Sequence, residues 1–354
     1  MAKCEPGTRE ELLNRIRKWV QVDSGCHQSI CWLHGPAGSG KSAVSQTVAE
    51  LCESSGNLAA SFFFPGSGGP NDIGPVIHTL AYQLSLSIPA TKTLIQQVLH
   101  RDESIVKLAF GYQFDKLLIE PILEAGVDNQ ESVTPGIIVI DDLHACDSES
   151  MVQFIKIITD AKRQLPFRFF LTSRAEGLLQ RKLEALAARS IVYALDIRDF
   201  HAGRDIRKFF WSRFSNIYDE NHKLMLKISR PWPSDSDVEA LVQKAEGSFH
   251  LAVKIVRDVE IGCDAPHQNL TAILNPNTGP GPDQTFPPPS PHPSASESSH
   301  VDSPTSSTSL IQLVFPTATL RGNGGGSRIF GGARAEPLWT TLASLIEQLL
   351  ELRA

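Results

Sequence analysis

The sequence predicts an α/β fold: a doubly wound, parallel, five-stranded sheet, followed by a small all-helical subdomain and a disordered C-terminal tail. Three observations carry this expectation. Short apolar runs at 29–33, 58–64, 136–140, 167–172 and 191–195 alternate with helical segments. A glycine-rich stretch joins the first run to the helix after it. Near residue 275 the composition turns abruptly to Pro and Ser, with almost nothing left to bury.

Taken in order, residues 4–24 read as a lead-in helix. Thr8 and Glu11 have the spacing of a capping box, and Leu12, Leu13, Ile16, Trp19 and Val20 follow at helical spacing. Residues 25–198 hold the alternating strands and helices, with helices expected at 42–53, 76–86, 113–124 and 150–164. The strand runs are continuously apolar, as strands buried on both faces require. Residues 199–274 read as the helical subdomain, with helices at 202–214, 236–245 and 249–259. Residues 275–336 form a Pro/Ser/Gly-rich linker. Residues 337–354 carry Leu338, Leu342, Leu345, Leu349 and Leu352 in a heptad-like stripe about two heptads long.

The 354 residues are 41% hydrophobic and 20% charged, with a net charge of −6. That balance suits a globular core and argues against a nucleic-acid partner, whose phosphates are held mainly by basic faces. Nothing reaches the ~18 consecutive apolar residues of a membrane span, and the charged N-terminus lacks a signal peptide. A cytoplasmic location without a membrane partner is expected. The six cysteines form no C-x-x-C pair or zinc spacing and read as reduced thiols, several of them buried.

Residues Gly35, Pro36, Ala37, Gly38, Ser39, Gly40, Lys41 and Ser42 satisfy G-x-x-x-x-G-K-[ST]. A polyphosphate needs several donors converging in a small volume. Backbone N–H groups supply them where glycines let the chain wrap tightly. Lys41 adds a point charge for the β and γ phosphates, Ser42 offers a hydroxyl to Mg²⁺, and the helix start turns its positive end toward the same anion. A strand before the motif and a helix after it are the context that gives it meaning. The apolar run 137–140 ends in Asp141, a carboxylate for the Mg²⁺ shell. The run 169–171 leads to Thr172, Ser173 and Arg174, which places Arg174 at the ligand edge of the sheet as a γ-phosphate sensor. ATP or GTP with Mg²⁺ is the expected ligand; the phosphate loop does not choose between the bases. Phe62, Phe63 and Phe64 read as a buried strand, His34 as a strand end, and Trp232 with Pro233 as a packing anchor.

With these residues in place, the chain resembles the NACHT-type P-loop NTPases, in particular the fungal set near the nephrocystin-like N-terminal domain (STAND/NLR-like). The likeness rests on Cys4 to Arg9 with Ile16 and Trp19, and on Trp32 to Gly35. It continues through Leu58 to Phe64, Thr79 to Leu84 and Thr172 to Arg174, then Trp232 with Pro233 and Ala245 to Gly247. The resemblance implies a sheet in the order 5-1-4-3-2, helical subdomains behind it, and a signalling switch that forms a homo-oligomer in the triphosphate state.

Three departures qualify what the resemblance implies. The family's acidic segment runs hydrophobic-Asp-small-Leu-Asp-Glu-Cys, whereas this chain reads Asp141, Asp142, Leu143, His144, Ala145, Cys146. Alanine accepts no proton, and losing a general base costs ~10²- to 10⁴-fold in rate. Asp142 and His144 are the candidates to substitute for it, although strand alternation is expected to turn Asp142 from the nucleotide. The second departure is Pro65 to Pro70, which stands where the family has an arginine-containing loop. The third is that neither an effector domain before residue 4 nor a winged-helix and repeat region after 274 is expected. The predicted function is a nucleotide-binding switch with weak or absent hydrolysis. The alternatives are an active, oligomer-dependent NTPase and a truncated interaction protein without turnover.

Overall fold

A computed structural model describes residues 3–21, 28–64, 74–126, 136–161, 165–262 and 265–275. These all fall within one compact unit, Met1–Thr285. The Pro65–Pro70 loop, the linker and the leucine-bearing C-terminal segment lie outside the described residues, as do Cys26 and Cys263.

The sheet has five parallel strands: β1 (Ile30–His34), β2 (Leu58–Phe63), β3 (Gly136–Asp141), β4 (Phe167–Ser173) and β5 (Val192–Asp196). Their order is β2-β3-β4-β1-β5, which is the expected 5-1-4-3-2. Period-two alternation sends successive side chains to opposite faces. Trp32, Ile138, Ile140, Phe169 and Leu171 enter the core of one face, under α3 (Gly74–Ser87), α4 (Pro89–Arg101), α7 (Ser148–Ala161) and α8 (Gly177–Ala188). Cys31, Leu33, Ile137, Val139 and Phe170 enter the other, under α1 (Glu10–Gln21) and α2 (Lys41–Ser54). The central strands β1, β3 and β4 are buried nearly throughout, as apolar runs allow, whereas Phe62 and Phe63 of the edge strand β2 are only half-buried. Burial pushes the Cys31 thiol up, and that of Cys52 up to about 11.

Several expectations need correction. The segment 113–124 is not one helix but α5 (Phe110–Phe114), a π-helical turn at Asp115–Ile119, and α6 (Glu120–Glu124). The turn lets Leu117, Leu118 and Ile119 all reach the core, which 3.6-residue spacing does not allow for three in a row. Thr8 caps no helix. α1 begins at Glu10, and the Thr8 hydroxyl donates to the Glu5 carbonyl at 2.7 Å, because Arg9 at φ 55° turns the chain in between. Helices α4, α8 and α12 (Pro266–Leu274) were not anticipated.

Beyond the sheet, α9 (Ala202–Glu220), α10 (Asp235–Ala245), α11 (Phe249–Ile261) and α12 share a third core around Phe210, Phe214, Leu241 and Val256. Ser234 and Asp237 make a capping box at the start of α10. Trp232 packs against Phe214 and Tyr218 of α9, which is the anchoring role expected of it. Among the described residues no helix is long and apolar enough to cross a membrane.

Candidate functional site

The glycine-rich motif joins the C-terminal end of β1 to the first residue of α2, at the sheet edge where ligands of doubly wound folds sit. Gly35, Gly38 and Gly40 hold φ of 152°, 72° and 94°. At Gly38 an added Cβ would lie 2.8 Å from the His250 Cβ and 3.0 Å from the Ser248 hydroxyl. A side chain is excluded there by backbone conformation and by space at once. The loop leads directly into the helix, whose first amides have no partner within it.

Lys41 is 6% exposed. Its ammonium donates to the carbonyls of Gly35 at 3.0 Å and Pro36 at 2.9 Å. Burial pulls its pKa down, and the charges of Asp142 and Asp141 push back. A buried cation bonded only to neutral carbonyls is poorly compensated. An anion placed in the loop would supply what it lacks, so the donor set fits a phosphate group. Ser39 closes the loop on itself, donating from its hydroxyl to the Pro36 carbonyl at 2.8 Å.

Asp141, at the end of β3, is 1% exposed. Its Oδ1 accepts from the Ser45 hydroxyl at 2.7 Å and the Thr172 hydroxyl at 2.5 Å. Both bonds fall on one oxygen and leave Oδ2 as the oxygen available to a cation. Ser42, expected as the companion metal residue, lies exposed in the first turn of α2. The carboxylate's immediate partners are Ser45, one turn further along α2, and Thr172 of β4. Sequence reasoning had no role for Ser45, because hydroxyls within a helix carry no motif. Among the described residues no group of three or more His, Cys, Asp and Glu side chains is placed to hold a metal. A magnesium ion here would draw its other ligands from phosphate and water, as Mg²⁺ usually does.

Asp142 departs from the expected alternation. It takes a left-handed conformation (φ 63°, ψ 38°), so the strand pattern ends at Asp141. The Asp142 N–H donates to the Thr172 hydroxyl at 3.0 Å. Asp142 Oδ1 lies 3.1 Å from His144 Nδ1, and Asp142 is the carboxylate that acts most strongly on Lys41. The carboxylate thus sits in the turn after β3, beside His144. Burial raises the Asp142 pKa and lowers that of His144, while their mutual attraction opposes both shifts. Arg174 follows β4, and its N–H approaches His144 Nδ1 at 3.4 Å. That contact sets Arg174 beside the turn after β3. Ala145 closes the 3₁₀ turn Leu143–Ala145.

Two further residues reach the loop from other segments. Arg9, in the lead-in, donates from Nη2 to the Ser39 carbonyl at 2.9 Å and from Nη1 to the Phe200 carbonyl at 2.9 Å. His250, in the first turn of α11, donates its N–H to the Gly38 carbonyl at 3.0 Å.

Residues 7–174 match the family model described as "Nephrocystin 3, N-terminal". Among solved structures, one of C. elegans PCH-2 aligns at 13% identity and a TM-score of 0.45, covering 75% of this chain and 67% of that one. A structure of Drosophila ORC bound to poly(dA/dT) DNA and Cdc6 aligns at 9% identity and a TM-score of 0.38, covering 71% of this chain and 38% of that one. No curated protein matches the chain significantly.

Proposed function

We propose, from the match of residues 7–174 to the nephrocystin 3 N-terminal family model and from the glycine-rich loop that follows β1 of a parallel sheet, that this chain binds a nucleoside triphosphate with Mg²⁺ and acts as a slow-turnover, NACHT-like switch module. The observation that carries the reading is the buried Lys41 at the mouth of a glycine-turned loop, bonded to that loop's own carbonyls. In this reading the backbone N–H groups of residues 37–42 and the Lys41 ammonium hold the phosphates. Ser42 and Asp141 Oδ2 serve the magnesium ion, which when bound screens charge between the phosphates. Ser45 and Thr172 keep the Asp141 carboxylate in one rotamer. Slow hydrolysis is attributed to Ala145, which offers neither a base nor a hydrogen-bond acceptor to an attacking water.

Fluorescent ATP and GTP titrated with Mg²⁺, alongside phosphate release, test this. Lys41→Ala is expected to abolish binding. Ala145→Glu is expected to raise turnover by ~10²-fold or more, the lower end of what a general base contributes. Wild-type protein that already turns over as fast as the glutamate variant would defeat the slow-switch reading.

The left-handed turn at Asp142 favours a second reading, in which its carboxylate, 3.1 Å from His144 Nδ1, orients water and sustains turnover. Asp142→Asn would then lower phosphate release at unchanged nucleotide affinity. Under the slow-switch reading it changes neither.

A further inference from the structure

We infer that Arg9 is a positioning residue of the phosphate loop, and that the backbone N–H of His250, from the helical subdomain, is its partner in that task. The inference rests on the nucleotide-binding reading above and extends it from the loop to the two segments that shape it.

The argument begins with the peptide plane. In a trans peptide the C=O of one residue and the N–H of the next point in opposite directions. Amides that converge on a phosphate therefore require carbonyls that point outward, and a carbonyl shut off from water needs a donor. Within the loop, the Gly35 and Pro36 carbonyls find donors in Lys41 and Ser39. The planes that begin at the Gly38 and Ser39 carbonyls are held from outside. The Gly38 carbonyl accepts from the His250 N–H, and the Ser39 carbonyl accepts from Arg9 Nη2. These bonds turn the Ser39 and Gly40 N–H groups away from their supports.

Arg9 is itself held on several sides. Its residue is 4% exposed. Nη1 donates to Phe200, its guanidinium carbon lies 4.9 Å from the centre of the Phe249 ring, and its backbone N–H donates to Asp205 Oδ2 at 3.0 Å. The backbone stands at φ 55°, a conformation that costs a non-glycine residue ~1 kcal/mol or more. Its guanidinium donates to the Ser39 and Phe200 carbonyls, and Nε is buried without a hydrogen-bond partner. Burial pulls its pKa down accordingly. A cation kept at this cost, in a rigid fork that joins Ser39 of the loop to Phe200 ahead of α9, is what a positioning role requires. Lysine presents one point charge on a flexible stem and cannot span both carbonyls in a fixed geometry. The first turn of α11 docks on the same loop, with the Phe249 ring 3.7 Å from where a Gly40 Cβ would stand. Phosphate binding and the docking of α11 are therefore coupled: each favours the loop shape the other needs.

The test uses the full chain with Arg9→Met, Arg9→Lys and Lys41→Ala. Two quantities are read: affinity for a fluorescent ATP analogue with Mg²⁺, and amide hydrogen exchange along the nucleotide-free chain. Arg9→Met is expected to weaken binding at least tenfold, about 1.4 kcal/mol, and to speed exchange over residues 36–42 ahead of the rest. Arg9→Lys is expected to fall between Arg9→Met and wild type, and it carries the test if Arg9→Met fails to fold. Binding within twofold of wild type and unchanged loop exchange in the folded variants would overturn the inference. So would faster exchange spread evenly over the whole chain, the mark of general destabilisation. The two readings fail separately. If wild type binds no nucleotide, the nucleotide reading falls, while selective loop exchange in Arg9→Met still supports the positioning role. If Lys41→Ala loses binding and Arg9→Met keeps it, the positioning role alone falls.

Discussion

At the scale of single residues, the site is governed by partial burial of charge. His34 ends β1 beside the phosphate loop, stacked on Trp32, with its Nδ1 buried and without a hydrogen-bond partner. Burial lowers its pKa, and Asp196 only partly restores it. A depressed imidazole pKa means the folded state prefers the neutral ring. The stability this confers is complete above the ordinary value of about 6.5 and is lost as pH falls through the lower folded value. His144 acts in the same sense. Asp142, raised by burial, acts in the opposite sense: its contribution is greatest below the ordinary carboxylate range and is lost as pH rises through its folded value. Urea midpoints of the wild type should therefore decline from pH 7.5 to 5.5, and His34→Gln should flatten that slope. An equal slope in the variant would remove His34 as a cause. The motif residues Gly35 to Ser42 and Asp141 were legible as candidates because each has a fixed chemical task at a fixed spacing. Asp142 was legible as a candidate but its left-handed turn was not, nor were the tasks of Ser45 and Arg9, because these depend on neighbours from other elements.

At the scale of elements, the sheet leaves almost no slack between strands. Gly136 opens β3 between β2 and β4. A Cβ built there would lie 2.9 Å from the Ala59 Cβ and 3.2 Å from the Phe167 ring. Gly136→Ala must therefore push one neighbour aside. Overpacking of this kind costs ~1–3 kcal/mol, readable as a lower urea midpoint at unchanged m-value. A neutral result would show that the β2–β3 contact yields more easily than its geometry suggests. Strand positions were legible because runs buried on both faces are apolar throughout. The break within 110–124 was not, because a π-helical turn is stabilised by what its side chains reach and leaves no local composition signal. The capping box proposed at Thr8 failed for a related reason. Arg9 is drawn into the left-handed region by Asp205, Phe200 and Ser39, all distant in sequence, and so the helix starts later than its local signal.

At the scale of the whole molecule, the lead-in ties the sheet to the helices behind it. Lys208 donates to the Gly7 carbonyl, and Ser212 to Glu5, each at 2.6 Å, alongside the Arg9 and His250 bonds to the loop. Such links predict that the two regions unfold together. Variants retaining only Trp32 in the sheet or only Trp232 among the helices should report the same urea midpoint. Nucleotide at a hundred times its Kd should raise both by about 2.7 kcal/mol. Separate transitions would show that the ties do not couple the regions. The amino-acid order by itself determined the number and run of the strands and the glycine-lysine turn between the first strand and its helix. It also marked the carboxylate ending the third strand, because period, turn chemistry and motif spacing act over a few residues. The tertiary structure alone decided which hydroxyls grip Asp141, that Asp142 turns left-handed, and that Arg9 and α11 brace the loop. Each of those depends on which donors and charges a buried carbonyl or carboxylate meets once segments nearly two hundred residues apart are packed together, and no local pattern encodes that.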